Sequence, residues 1–197
     1  MKFELYRLLI RWLLRETRQI KRVQPKPVKI KSTVPHESFP QTFVMESFFV
    51  SELITALTPG PNEEMHFLTG PKIGPIRIVT RLAAPVPLTH QSRVYAAASA
   101  KSVASVLIPI IEQGAELHIF AHSHPGRGET ATTPSGTDIE CVGKFQKNGS
   151  PAIGCIVTRD GYVRFFSVST KFHVVILGTG VKEISQNVFQ ITNQNSH

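Results

Sequence analysis

Between positions 121 and 138 the chain reads A-H-S-H-P-G-R-G-E-T-A-T-T-P-S-G-T-D, and three of these side chains, His122, His124 and Asp138, could ligate one divalent metal. Residues 116–121 (E-L-H-I-F-A) alternate and are apolar enough to predict a buried strand leading into the first histidine. Side chains at i and i+2 of a strand point the same way, so both imidazoles reach the strand end together while Ser123 turns away. Pro125 ends the strand. Beyond a Gly-rich loop, Ser135 suits the N-cap of a helix in which Ile139, Val142 and Phe145 recur at helical spacing up to Asn148-Gly149. Asp138 falls in its first turn, where the carboxylate can return toward the histidines. S-x-x-D is also a plain capping box that needs no metal; its coincidence with H-x-H-P favours the ligand reading. Two histidines and one carboxylate leave a fourth position open, as hydrolytic zinc sites do, whereas structural sites close all four with protein groups. Such chemistry needs a general base, expected to be a carboxylate from elsewhere in the chain.

The candidate lies in N-E-E-M-H-F-L-T-G, residues 62–70, which follows the turn T-P-G-P and opens a short apolar run. A glutamate with Leu at i+5 and Gly at i+7, then H-S-H-P, then S-x-x-D, resembles the pattern of the JAMM (MPN-plus) zinc metalloproteases, which cleave peptide or isopeptide bonds after ubiquitin or ubiquitin-like proteins. Counting back from Leu68 and Gly70 makes Glu63 the matching glutamate and rejects its neighbour Glu64. The chain departs from the pattern in having His66 where a glycine is usual three residues after the glutamate. Its loop between the second histidine and the serine is also about three residues longer, as in some prokaryotic members. The resemblance covers roughly residues 47–168.

It implies an α/β (α+β) fold of the cytidine-deaminase-like MPN type, a central mixed sheet flanked by helices. It also implies Zn2+ held by His122, His124 and Asp138, Glu63 as the base that moves a water proton to the leaving amine, and Ser135 as a donor to the oxyanion. The partner implied is a ubiquitin-like protein or its conjugate, together with E1- or E2-like proteins of the kind that accompany prokaryotic members in sulfur transfer or phage defence. Two other readings stay open at this point. Relatives lacking the ligands serve as scaffolds or binding modules, although every residue of the motif is present here. A metal-dependent hydrolase acting on a small-molecule or sulfur-carrier conjugate would carry the same motif.

The elements that must position these residues are partly legible. The mixed apolar spacing of residues 43–57 predicts a short helix ending at Thr58-Pro59-Gly60. Residues 65–68 and 76–82 are expected as strands about the Gly70-Pro71 and Gly74-Pro75 turns, which sets Glu63 at the start of a hairpin. Ser99 can cap a helix running to Gln113, with Val103, Val106, Leu107, Ile110 and Ile111 inward, Gly114 as its stop, and Pro109 bending it or shifting its end. Residues 152–157 and 162–168 flank Arg159-Asp160-Gly161, a hairpin signal, and residues 172–177 form one more strand. The remaining histidines (36, 66, 90, 118, 173 and 197) are expected to be surface or hydrogen-bonded core residues.

The 197 residues suit one domain with extensions. Residues 1–31 hold ten Lys/Arg against two Glu, which is the whole net charge of +8, while the rest carries twelve basic and twelve acidic residues. Residues 1–22 predict a basic amphipathic helix, with Leu5, Leu8, Leu9, Trp12 and Leu13 on one stripe and Arg7, Arg11, Arg15, Arg18 and Arg22 on another. Such a helix can pack on the domain or a partner subunit, lie on an anionic surface, or meet acidic groups such as phosphates; a basic arm on a neutral domain does not indicate specific nucleic-acid recognition. Prolines 25, 27, 35 and 40 make residues 24–41 an extended linker. The expected organisation is therefore helix plus linker over 1–41, the catalytic domain over 42–180 and a polar tail over 181–197. Cys141 and Cys155, in a predicted helix and strand, do not suggest a disulfide. The lack of a membrane-length apolar stretch or signal peptide leads to an expected cytoplasmic location.

Overall fold

A computed structural model describes residues 40–92 and 95–192. The predicted basic helix, and the linker up to residue 39, lie outside the described residues. Among the described residues the fold is mixed α/β, with three α-helices and several sheets.

Residues 43–57, expected as one helix, divide into strand β1 (Gln41–Glu46) and helix α1 (Ser47–Leu57). Phe43 and Met45 alternate into the core, and Val50, Leu53, Ile54 and Leu57 continue it at helical spacing. No side chain caps α1, because Glu46 occupies the N-cap position without such a bond, so the sequence carries no start signal there. Strand β2 (Met65–Gly70) follows, then the two-residue strands β3 (Lys72–Ile73) and β5 (Arg81–Leu82) on either side of β4 (Ile76–Ile78). The single strand expected over 76–82 is thus broken. β4 runs parallel to β1 in a four-stranded sheet, whereas β5 turns away to pair with β2.

Among the described residues, strands β6 (Leu88–Ser92) and β7 (Tyr95–Ala98) pair only with each other. Helix α2 (Ala100–Glu112) begins at the expected cap, where the Ser99 hydroxyl accepts the Ser102 N–H, and runs on past Pro109. Strand β8 (Glu116–Ser123) lies antiparallel to β2 and parallel to β9 (Ile153–Val157), and helix α3 (Gly136–Lys147) connects the two. The Arg159-Asp160-Gly161 turn leads into β10 (Tyr162–Phe166); Gly161 has φ +84°, a conformation glycine adopts without strain. Strand β11 (Phe172–Leu177) then pairs with β1.

The tail expected from 181 onward is instead a hairpin, β12 (Val181–Ser185) and β13 (Val188–Ile191), which extends the seven-stranded sheet β12-β13-β10-β9-β8-β2-β5. Val188, Phe189 and Ile191 are buried, so three apolar residues among Asn, Gln and Thr suffice for a strand once β10 offers a partner. The reading of 181–192 as a tail is corrected accordingly. On one face of this sheet lie α1 and β1, joined in a core that includes Leu68, Ile119, Ala121, Cys155 and Phe165. Phe145 of α3 meets Phe67 and Phe120 on the other face. Both cysteines are free, and among the described residues no helix is long and apolar enough to cross a membrane.

Candidate metal centre

β8 carries both imidazoles to one point. The Nε2 atoms of His122 and His124 stand 3.1 Å apart. Asp138 Oδ1 lies 3.2 Å from the first and Oδ2 lies 3.6 Å from the second. One donor atom from each of the three residues falls within 4.8 Å of the others. Ser123 between them faces away, as strand alternation requires: its hydroxyl accepts the Glu64 N–H at 2.9 Å, and its own N–H donates to the Glu64 carbonyl at 3.1 Å.

Asp138 serves the helix start as well. Its Oδ2 accepts the Ser135 N–H at 2.7 Å, and its N–H donates to the Ser135 hydroxyl at 3.3 Å, a complete capping box. The capping box and the convergence on histidine are therefore present together, and the carboxylate is held by the cap where it faces both rings. Burial alone would raise the Asp138 pKa, but hydrogen bonds with the two histidines hold it far below the usual carboxylate range. Burial would likewise lower the His124 pKa, yet its bonds to Asp138 and to the Ala131 carbonyl carry it upward.

The donor set fits a metal ion. His124 Nδ1 lies 2.8 Å from the Ala131 carbonyl, which only accepts, so the ring proton belongs on Nδ1 and the Nε2 lone pair points at the triad. His122 Nε2 also faces the triad, and its ring stacks on Phe120 with centroids 5.8 Å apart, while its Nδ1 is buried without a hydrogen-bond partner among the described residues. Two imidazole nitrogens and a carboxylate oxygen are a set that suits zinc.

Glu63 is 8% exposed and lines the same cavity, of about 390 Å³, with His122, His124, Ser135, Asp138 and Cys141. Burial pushes its pKa up to about 7, with His124 and an N–H bond from Ala96 acting downward and Asp138 upward. Glu64 does not line the cavity; its Oε1 accepts from the Gln91 amide at 2.6 Å. Burial likewise pushes the Cys141 thiol up to about 12.

The β6–β7 hairpin, not anticipated from the sequence, holds the Glu63 segment. The Glu63 N–H donates to the Ser92 carbonyl at 3.0 Å, and Gln91 Nε2 donates to the Glu63 carbonyl at 3.0 Å. Its sequence, L-T-H-Q-S before and Y-A-A-A after residues 93–94, alternates too weakly to mark a strand pair. His66, three residues after Glu63 in the sequence, is buried with Nδ1 3.2 Å from the Ala83 carbonyl, a hydrogen-bonded core residue.

No family model matches the chain, and no curated protein matches it. Among solved structures it resembles protein DSY2949 from Desulfitobacterium hafniense, with a TM-score of 0.51 at 16% identity over 68% of this chain and 92% of that one. A likeness at that identity speaks to the fold alone. What the geometry offers in its own right is a His-His-Asp group able to hold a metal ion, beside a buried carboxylate whose pKa is near neutrality.

Proposed function

We propose that this chain is a zinc-dependent hydrolase of the JAMM kind, built on an MPN-type domain, that cleaves the peptide or isopeptide bond following the C-terminus of a ubiquitin-like protein. The observation that carries this reading is the meeting of the His122, His124 and Asp138 donor atoms in one cavity with the Glu63 carboxylate, four residues drawn from three separate segments of the chain. When bound there, zinc supplies a Lewis acid that acidifies water and polarises an amide carbonyl.

The protein's own residues account for the rest. A carboxylate with a pKa near 7 accepts a proton from water and releases it again, so Glu63 is suited to take the proton and deliver it to the departing amine. The Ala96 N–H, the Ser92 carbonyl and the Gln91 side-chain amide hold Glu63 at the cavity wall. The Ser135 hydroxyl, on a residue that lines the same cavity and engages Asp138, would serve as the donor to an oxyanion developing on the carbonyl. E1- or E2-like proteins that make such conjugates are the partners this reading proposes.

The test is single-turnover cleavage of a ubiquitin-like fusion by zinc-loaded protein. Glu63→Gln is expected to keep its metal while turnover falls by roughly 10²- to 10⁴-fold, the usual loss with a general base. Wild-type turnover in that variant would remove Glu63 from the mechanism. Failure of zinc-loaded wild-type protein to cleave any ubiquitin-like conjugate would withdraw the substrate class.

A further inference from the structure

The His124 tautomer rests on a single carbonyl, that of Ala131, which belongs to a 3-10 turn (Glu129–Thr132) within the unusually long loop. What holds that turn is therefore what aims His124. Thr132 is fully buried, and its hydroxyl makes two bonds at once: it donates to the Glu129 carbonyl at 2.6 Å and accepts from Arg164 Nε of β10 at 3.0 Å. The Glu129 carboxylate is gripped from two further directions, by the Ser185 hydroxyl of β12 at 2.6 Å and by Arg164 Nη2 at 3.7 Å. One residue upstream, the Gly128 N–H donates to Asp160 Oδ2 of the β9–β10 turn at 2.8 Å.

We infer that Thr132 and Arg164 are positioning residues for the metal centre: by clamping the 3-10 turn to β10 they hold the Ala131 carbonyl against His124 Nδ1 and keep the Nε2 lone pair on the triad. Neither touches the triad, so their effect is transmitted through Ala131. Outer partners that orient a ligating histidine are typically worth about 10- to 100-fold in metal affinity. This inference rests on the metal-binding reading of His122, His124 and Asp138, and does not depend on the substrate.

The experiment measures the zinc dissociation constant of the full chain by competition with a chromophoric chelator, and the ligand-field spectrum of the cobalt-substituted protein. Thr132→Val keeps the side chain's shape but removes both hydroxyl bonds, and should weaken zinc by about 10- to 100-fold and change the cobalt bands. Thr132→Ser should restore both. Arg164→Met, at a partly exposed position and so tolerant of substitution, should act in the same direction and decides the matter should Thr132→Val not fold. Unchanged zinc affinity in the folded variants would overturn the clamp, as would a loss that serine does not rescue. Wild-type zinc affinity in the His122→Ala/His124→Ala protein would instead overturn the metal reading beneath it.

Discussion

Two buried histidines four residues apart on β8, His118 and His122, meet opposite surroundings, and with His124 they show what separates a core histidine from a candidate ligand. The register between β2 and β8 slips at His118: Leu68 faces Ile119 and Thr69 faces Leu117, leaving His118 as an extra residue. It meets Phe43 of β1, with ring centroids 6.5 Å apart, whereas His122 lies against Phe120 on the α3 side. Both ring nitrogens of His118 are spoken for. Nδ1 lies 3.4 Å from Arg77 Nη1, which only donates, and Nε2 lies 3.2 Å from the Pro71 carbonyl, which only accepts. The proton of His118 is thus on Nε2 and that of His124 on Nδ1. Opposite tautomers leave Nε2 open for a metal in one case and closed in the other.

The largest expected effect breaks the site and spares the core. His122→Ala/His124→Ala should bind no zinc by metal analysis, while His118→Gln should bind as much as wild type. Zinc bound normally by the double variant would mean that the wrong histidines have been distinguished.

Next is the charge cluster on the other side. Arg77 is 2% exposed and donates to Glu116 Oε2 at 2.6 Å and to Gln41 Oε1 at 3.2 Å. Arg77→Met should cost about 1.5–3 kcal/mol in denaturant unfolding, the range for hydrogen bonds to charged groups. The abandoned Glu116 is half-exposed and can be resolvated, which argues against a larger loss. Zinc affinity should not change; if it does, the two clusters are coupled.

A subtler effect is of opposite sign at the two histidines. Burial, the main influence, lowers the His118 pKa, so the unfolded chain takes up the proton more readily and stability is lost as pH falls through about 6.5. The raised His124 pKa of the metal-free protein contributes stability that is present below 6.5 and lost as pH rises through the folded value. Melting of metal-free protein between about pH 5 and 8 should therefore show His118→Gln gaining on wild type toward acid and His124→Gln losing ground. Parallel curves would refute the contrast. For the same reason zinc affinity should rise with pH until His124 is neutral.

The smallest effect is expected at Glu64. Glu64→Gln keeps a carbonyl oxygen for Gln91 and leaves the cavity wall untouched, so cleavage should be little altered. A dead Glu64→Gln beside an active Glu63→Gln would exchange the roles of the two neighbours.

Much of the site was legible because its determinants are local. The i, i+2 spacing of His122 and His124 places them together on any strand, and Ser135 and Asp138 form a cap wherever a helix starts there. The turns at Arg159-Asp160-Gly161 and the Ser99 cap are local in the same sense, written in residues whose backbone preferences need no distant partner. Other features depended on partners far along the chain. β1 is a strand because β11 and β4 flank it, and β13 because β10 offers an edge to three apolar side chains. His118 leaves the face of His122 through a bulge that alternation cannot foresee, and Glu63 owes its raised pKa to burial in a cavity assembled from distant residues. Residue type and short spacing named the groups able to do chemistry; strand pairing and desolvation, which arise only when remote segments meet, decided their surroundings.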